Sequence, residues 1–312
     1  PFFHSFGFTG TLWLPPLLGA GAVYHPNPVD GRGIGELVDK HRATFLLATP
    51  TFLQIYIRAC TPEQFGSVEF VLAGAEKLPE RLAVAFEDRF GLRPMEGYGT
   101  TETSPVVTIN TRDFRSAGFR QIGAKRGSIG HPLPGMVARI VDPDTGKPVA
   151  LGQPGLLLVK GPNVMQGYLG QAEKTAEVLR DGWYTTGDIA AMDADGFLAI
   201  TDRLSRFSKI GGEMVPHIKV EENLHELAEL TEQTFAVTGV PDERKGERLV
   251  VLYQNLVESA VQSVVEKITA SDLPNIWKPR SDQFFKVEAL PYLGTGKLDL
   301  KQIKTLANEL SP

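Results

Sequence analysis

Four short segments of this sequence carry side chains whose types and spacing could do chemistry. Tyr98-Gly99-Thr100-Thr101-Glu102 sets two hydroxyls, a glycine and a carboxylate side by side. Hydroxyls and backbone amides beside a glycine can hold phosphate oxygens, and a neighbouring carboxylate can hold Mg²⁺. The leading tyrosine could stack on a base. Gly182-Trp183-Tyr184-Thr185-Thr186-Gly187-Asp188 ends in an aspartate read as following a tight turn. Such an aspartate can accept two hydrogen bonds from vicinal hydroxyls, as on a ribose, each worth about 1.5–3 kcal/mol. The run from Asp202 to Glu213 is basic and glycine-bearing, and Leu290 to Leu298 sets Lys297 on a glycine-rich loop that can swing into a distant cleft. Each segment also has a plain structural reading: a glycine turn, a capping aspartate, a solvated linker and a surface lysine.

Other matches fail on inspection. Gly31-Arg32-Gly33-Ile34-Gly35 is followed by Glu36 and lacks the spacing of a dinucleotide fingerprint. Gly127-Ser128-Ile129-Gly130 follows Arg126 and is no nucleophile elbow, and His225-Glu226 lacks the second histidine of a zinc-protease helix. Gly296-Lys297 is not a Walker loop, because Pro291 stands where its first glycine belongs.

The elements that must position these groups fall into three textures. Across the first, expected to span residues 1–117, short apolar runs (Thr44–Ala48, Val68–Ala73) alternate with helical patterns (Thr51–Arg58 after Pro50, Pro79–Phe90 before Gly91). That alternation predicts part of a largely parallel α/β sheet layer. Residues 118–204 are rich in glycine and proline, with strand-like runs at Val137–Val141, Gly155–Lys160 and Phe197–Ile200 and a turn at Asp142–Gly146, predicting a compact, β-barrel-like subdomain. Residues 205–312 read as a small, mobile α+β domain, with helices at Val220–Leu230, Val257–Thr269 and Lys301–Glu309 and strands at Thr234–Val240, Arg248–Gln254 and Gln283–Val287. The fold class is therefore α/β.

Composition narrows the function classes. With 312 residues, 42% hydrophobic and 22% charged, the chain is an ordinary globular protein, and a net charge of −5 argues against nucleic acid as a partner. A single cysteine, Cys60, makes no internal disulfide and reads as a small buried residue. The most apolar stretch, Phe8 to Tyr24, is interrupted by Pro15 and Pro16 and falls short of a membrane span.

Taken in order, the four segments, with Pro1-Phe2-Phe3-His4-Ser5-Phe6-Gly7 and Gly74-Ala75-Glu76-Lys77-Leu78-Pro79, resemble the core motifs of the adenylate-forming superfamily. That superfamily includes acyl-CoA synthetases, luciferases and peptide-synthetase adenylation domains. Most members carry Gly-Arg-x-x-Asp-x-Ile-Lys at the domain junction. Here Asp202-Arg203-Leu204-Ser205-Arg206-Phe207-Ser208-Lys209 matches it, with arginine in the hinge aspartate's place. Arg206 to Val215, with His4-Ser5-Phe6-Gly7 and Ala73-Gly74-Ala75-Glu76-Lys77-Leu78, resembles bacterial acyl-acyl carrier protein synthetases, which are often fused behind a lysophospholipid acyltransferase, as in bifunctional 2-acylglycerophosphoethanolamine acyltransferase.

The resemblance implies ATP-dependent activation of a fatty acid to an acyl-adenylate, then transfer to a phosphopantetheine thiol of acyl carrier protein, or alternatively of CoA. It implies that Lys297 bridges the acyl carboxylate and α-phosphate, that Thr101 contacts phosphate, and that Glu102 holds Mg²⁺. Gly74, Ala75, Glu76, Tyr98, Gly99 and Thr100 would bind the adenine side of ATP or AMP, and Asp188 and Arg203 the ribose. His4 and Gly97 would border the acyl pocket. Ser205 and Arg206 would form the hinge, and Gly211 and Gly212 the thiol-side face. Lys219, Lys278 and Arg280 are either solvated charges or contacts for an acidic carrier protein. The family's Ser/Thr/Gly-rich phosphate loop does not occur here, so the chain is read as a C-terminal portion, and a catalytically incomplete binding module is the competing reading. A cytoplasmic location is expected, at the inner membrane face where a parent chain carries an acyltransferase or membrane segment. An unpaired sheet edge is expected to invite self-association.

Overall fold

The computed structural model describes residues 2–293 and 297–311, the Ser205 side chain excepted. The chain divides into two units, Pro1–Ile200 and Thr201–Pro312.

In the first unit, strands β1 (Phe45–Ala48), β2 (Phe70–Ala73) and β3 (Met95–Gly99) run parallel, and β4 (Val106–Ile109) turns back antiparallel to β3. Helices connect the parallel strands, and their ends are marked by residues suited to the task. Asp30 caps Gly31–His41 by accepting from the Gly33 amide at 3.0 Å. Thr49 caps Pro50–Ala59, where Pro50 occupies the first turn and gives up no hydrogen bond. Glu80–Phe90 stops at Gly91, whose φ of 68° suits glycine. Leu53, Phe65, Leu82 and Phe86 fill the core under these helices. Each such burial contributes about 1.5–3 kcal/mol. Cys60 lies in the same core.

The stretch expected to be broken by Pro15 and Pro16 is helical as far as Leu18. A short turn Ser5–Gly7, a π-helical segment Phe8–Trp13 and an α-helix Leu14–Leu18 follow one another. The two prolines sit in the first turn of the last helix, where a missing N–H costs nothing. Phe3, Trp13, Leu17 and Leu18 are exposed there, as is Phe45 on the edge strand β1. Among the described residues no helix is long and apolar enough to cross a membrane.

After β4 the chain makes a separate two-stranded hairpin, β5 (Phe114–Ser116) and β6 (Phe119–Gln121). β7 (His131–Pro132) then returns to pair with β4. A curled antiparallel sheet follows, from β8 (Val137–Val141), β9 (Gly155–Lys160), β10 (Leu179–Arg180), β11 (Trp183–Met192) and β12 (Leu198–Arg203), packed around Val107, Leu157, Val159, Ala190 and Leu198. The Asp142–Gly146 turn is held by Asp142, whose Oδ1 accepts from the Thr145 amide at 2.7 Å.

In the second unit β13 (Phe207–Ile210), β14 (Glu213–Pro216), β15 (Phe235–Asp242), β16 (Gly246–Tyr253) and β17 (Phe284–Lys286) form one sheet in the order β14-β13-β16-β15, with β17 parallel to β16. The segment open to reading as a linker is a tight hairpin. Gly211 and Gly212, at φ 59° and 90°, make the two-residue turn between β13 and β14. Helices His217–Leu227 and Glu258–Ala270 pack on one cluster with Phe235, Val251 and Ile268. Leu300–Leu310 packs on another with Ala236 and Val250. The first of these helices starts three residues before the expected Val220, because Pro216 ends β14 and serves as its cap. The α/β class holds, with a part-parallel sheet layer, a barrel-like antiparallel sheet and a small α+β unit.

Candidate active site

β3 carries Gly97, Tyr98 and Gly99 at its end. A Cβ on Gly99 would lie 1.9 Å from the Pro105 carbonyl oxygen, so only glycine lets the chain double back there. A Cβ on Gly97 would come within 3.2 Å of the Thr108 carbonyl. The returning loop is tied by Thr103, whose hydroxyl accepts from the Thr100 amide at 3.0 Å. It is also braced from outside: Asn163 donates to the carbonyls of Thr103 and Val106, both at 2.7 Å.

The structure brings four of the sequence segments together in this unit. Ser5 Oγ and Thr101 Oγ1 are 3.3 Å apart, and a Cβ on Gly74 would meet the Phe6 ring at 3.1 Å. His4 begins the first helical turn, its Nδ1 accepting from the Phe6 amide at 3.2 Å. Ala75 adopts φ 71°, a left-handed conformation uncommon for a side-chain-bearing residue, and the Glu76 carboxylate accepts from Thr51 at 3.1 Å. Tyr98 donates its hydroxyl to Asp188 at 2.5 Å, closing a sequence separation of 90 residues. Asp188 does not follow a tight turn. It lies on β11, where the register with β9 shifts between Thr185 and Ile189, and its amide donates to Thr186 Oγ1 at 3.0 Å. Bulges re-aim side chains, and this one sets a carboxylate only 3% exposed against Tyr98.

Glu102 has partners that sequence reasoning missed. Tyr168 donates to Glu102 Oε1 at 2.8 Å, and the Tyr184 phenol lies near enough to feel the charge of Glu102. Burial raises both phenols above their ordinary range, and the Glu102 carboxylate raises them further, so both stay protonated at neutral pH. Tyr168 stands alone in a glycine-rich loop, and nothing in its spacing pointed to Glu102. Among the described residues no three His, Cys, Asp or Glu side chains could hold a metal together. A lone carboxylate among hydroxyls still suits Mg²⁺, which keeps its waters and takes substrate phosphates as ligands, and it does not suit zinc. We expect Tyr168→Phe to weaken Mg²⁺-dependent nucleotide binding about tenfold, with metal-free AMP binding unchanged, because a charge-assisted bond of about 1.5–3 kcal/mol orients Glu102. Calorimetry with and without the metal checks this.

The remaining predicted residues belong to the second unit. Arg203 ends β12 exposed, its amide donating to Asp202 Oδ1 at 2.7 Å. Arg206, at the expected hinge, is half-buried and ion-paired with the buried Glu221, which also accepts from the Val237 amide at 2.7 Å. Burial raises the Glu221 carboxyl, against the pull of Arg206. Lys278 donates to the carbonyls of Thr269 and Ser271, while Lys219 and Arg280 pair with Glu222 and Asp282. Tyr292 and Leu298 form an isolated antiparallel bridge, and the Lys297 carbonyl accepts from the Leu293 amide at 2.8 Å. Pro1, Gly294, Thr295, Gly296 and the Ser205 side chain lie outside the described residues.

Beside Arg206, Ser208 and His217 share a buried hydrogen bond of 2.8 Å. Burial holds the imidazole down to about 3, with Arg206 and Lys304 adding to it. A histidine neutral in the fold but charging near 6.5 when unfolded removes stability as pH falls below that value. Asp202 runs the other way: burial raises its carboxyl to about 7, so its contribution is present at low pH and is lost as pH rises through that value. His217→Gln keeps a partner for Ser208. From about pH 6.5 to about 4.5 it is expected to lose about 2 kcal/mol less stability than the parent, read from urea midpoints. An unchanged pH slope would reject this role for His217.

Comparison with known proteins agrees with this geometry. The family model described as AMP-binding enzyme matches residues 1–169. Feruloyl-CoA synthase from Amycolatopsis sp is 37% identical over 79% of this chain and 48% of its own length. A long-chain-fatty-acid–CoA ligase from Bacillus subtilis (strain 168) is 34% identical over 96% of this chain and 51% of its own length. The chain thus spans about half the length of these curated relatives. ATP-bound MatB from Rhodopseudomonas palustris superposes with a TM-score of 0.85 at 26% identity, over 100% of this chain and 60% of that one. The o-succinylbenzoate CoA synthetase MenE from Bacillus subtilis, in complex with its acyl-adenylate OSB-AMP, gives 0.81 at 25% identity, over 97% of this chain and 59% of its own. With its motif segments gathered as described and the family model covering more than half its length, the chain belongs to the AMP-binding enzyme family.

Proposed function

We infer that this chain carries the nucleotide-handling and thiol-transfer portion of an AMP-forming acid–thiol ligase acting on a fatty acid. The observation that carries the reading is the Tyr98–Asp188 contact, which joins two distant motifs beside Glu102. The reaction joins the acid to AMP with release of pyrophosphate, then passes the acyl group to a thiol with release of AMP. Tyr98, Thr100 and the Gly74–Glu76 strand end embrace adenine, while Asp188 and Arg203 hold the ribose hydroxyls. Thr101 donates to phosphate, and Glu102, oriented by Tyr168, would hold Mg²⁺, which would supply positive charge against the phosphate oxygens. His4 and Gly97 border the acyl group, and Lys297 supplies the cation for acyl activation.

The second half-reaction uses the Gly211-Gly212 turn as the thiol-side face, with Ser205 and Arg206 as the hinge. The domain division at 117 and 204 belongs to the same reading. CoA as the acceptor is supported by the relatives' names, and acyl carrier protein by the arginine at the hinge and the segment around it. Supplying ATP, a fatty acid and either CoA or holo-acyl carrier protein side by side, and identifying the thioester, tests the reading. Nucleotide binding without thioester from either acceptor would leave a binding module. The exposed apolar residues near Trp13 and β1 support self-association, which sedimentation would detect.

A further inference from the structure

Within the first unit, the β5–β6 hairpin stands apart. Every residue from Thr111 to Ile122 is exposed, and the two strands pair only with each other. An isolated two-stranded hairpin is marginally stable in water. Phe114 and Phe119 nevertheless share one face, 57% and 55% exposed, with ring centroids 6.2 Å apart. On the other face Arg115 stands directly across from Arg120, an arrangement that costs stability when nothing offsets it. Asp113 pairs with Arg120 at 3.1 Å, and among the described residues Arg115 has no ion pair. Arg112, Lys125 and Arg126 extend the positive stretch at the hairpin's base, where Glu69, Asp193, Asp195, Glu80 and Glu87 answer them. The charge left open therefore falls on the hairpin itself, in a chain whose net charge is −5.

We propose that β5–β6 is a docking element for an anionic phospholipid surface, with Phe114 and Phe119 entering the boundary between headgroups and acyl chains and Arg115 and Arg120 taking lipid phosphates. Phenyl rings carry no hydrogen-bonding group and suit an apolar layer, while guanidinium groups fit phosphate in bidentate fashion. The hairpin is exposed on both faces. A headgroup layer surrounds an inserted hairpin, whereas an acidic protein would cover the arginine face or the phenylalanine face and leave the other in water. The open strand edges stay in the hydrated headgroup zone, where their backbone groups keep partners. This inference does not depend on the proposed ligase activity.

Flotation of the whole chain with vesicles tests it, comparing phosphatidylcholine alone with phosphatidylcholine containing about a third phosphatidylglycerol. The parent is expected to bind the anionic vesicles, to release them as salt rises, and to ignore neutral ones. At about fivefold per arginine, Arg115→Gln with Arg120→Gln should weaken binding at least about tenfold. Phe114→Ser with Phe119→Ser should do the same. Both pairs are exposed, so unchanged melting shows that the fold is intact. Equal binding to neutral vesicles, or no binding to anionic ones, overturns the proposal. Binding that persists in both variants assigns it to the exposed Phe3, Trp13, Leu17 and Leu18 and also overturns it. So does a loss confined to a holo-acyl carrier protein, which would make the hairpin a protein-docking element.

Discussion

In an otherwise complete enzyme, Lys297→Ala is expected to lower acid-dependent ATP–pyrophosphate exchange by about a thousandfold. Thioester formation from supplied acyl-adenylate should change by less than about threefold. In the first half-reaction negative charge gathers on the phosphorus oxygens as the carboxylate attacks and pyrophosphate departs. A single placed donor in such a site is worth about a hundred- to a thousandfold, and a full cation stands at the upper end. The second half-reaction discharges AMP from a carbonyl and has no such need of the lysine. The substitution keeps the backbone contacts beside it, with the Leu293 amide donating to the Lys297 carbonyl and Tyr292 bridged to Leu298. Lys297→Arg separates charge from position: a guanidinium keeps the charge on a bulkier planar head, and partial activity is expected. Equal loss of both half-reactions in Lys297→Ala would remove Lys297 from the adenylation step.

The parts of this molecule legible from sequence are those in which a local rule meets no tertiary exception. Pro50 after Thr49 and Gly91 after Phe90 mark helix ends by their own backbone preferences, and the structure places the ends there. Short apolar runs such as Phe70–Ala73 read as buried strands because both faces are covered. Reading failed where a residue's position depended on distant partners. Pro15 and Pro16 looked like interruptions but fall in the one turn that tolerates them. Asp188 looked like a turn residue, yet a bulge in β11 places it, and a bulge leaves no mark in composition. Tyr168 and Asn163 have no spacing relation to Glu102 or Thr103, so their hydrogen bonds could be seen only in the fold. The Gly211-Gly212 pair was singled out for chemistry, and the fold adds a geometric requirement, since both residues have positive φ in a two-residue turn.

Asp188→Asn is expected to raise the dissociation constant for AMP about thirtyfold, or about 2 kcal/mol. The carboxylate is buried on a bulged strand and already accepts from Tyr98 at 2.5 Å, so it is oriented before any ligand arrives. Hydrogen bonds from vicinal hydroxyls to a preoriented charge fall in the strong class, because no side-chain ordering remains to be done on binding. Asparagine preserves shape and an acceptor for Tyr98, so the change isolates the charge. Alanine removes the Tyr98 bond as well, so it should add a loss of melting temperature that the asparagine variant lacks. Tyr98→Phe completes the set by deleting the orienting bond while leaving the carboxylate in place. If the ribose contact is the role of Asp188, affinity for 2′,3′-dideoxy-AMP should be nearly the same in the parent and in Asp188→Asn, because the ligand no longer offers the hydroxyls. A thirtyfold loss that persists with the dideoxy nucleotide would place the effect in the architecture around Tyr98 instead. Unchanged AMP binding in a well-folded Asp188→Asn would take this aspartate out of the nucleotide site altogether.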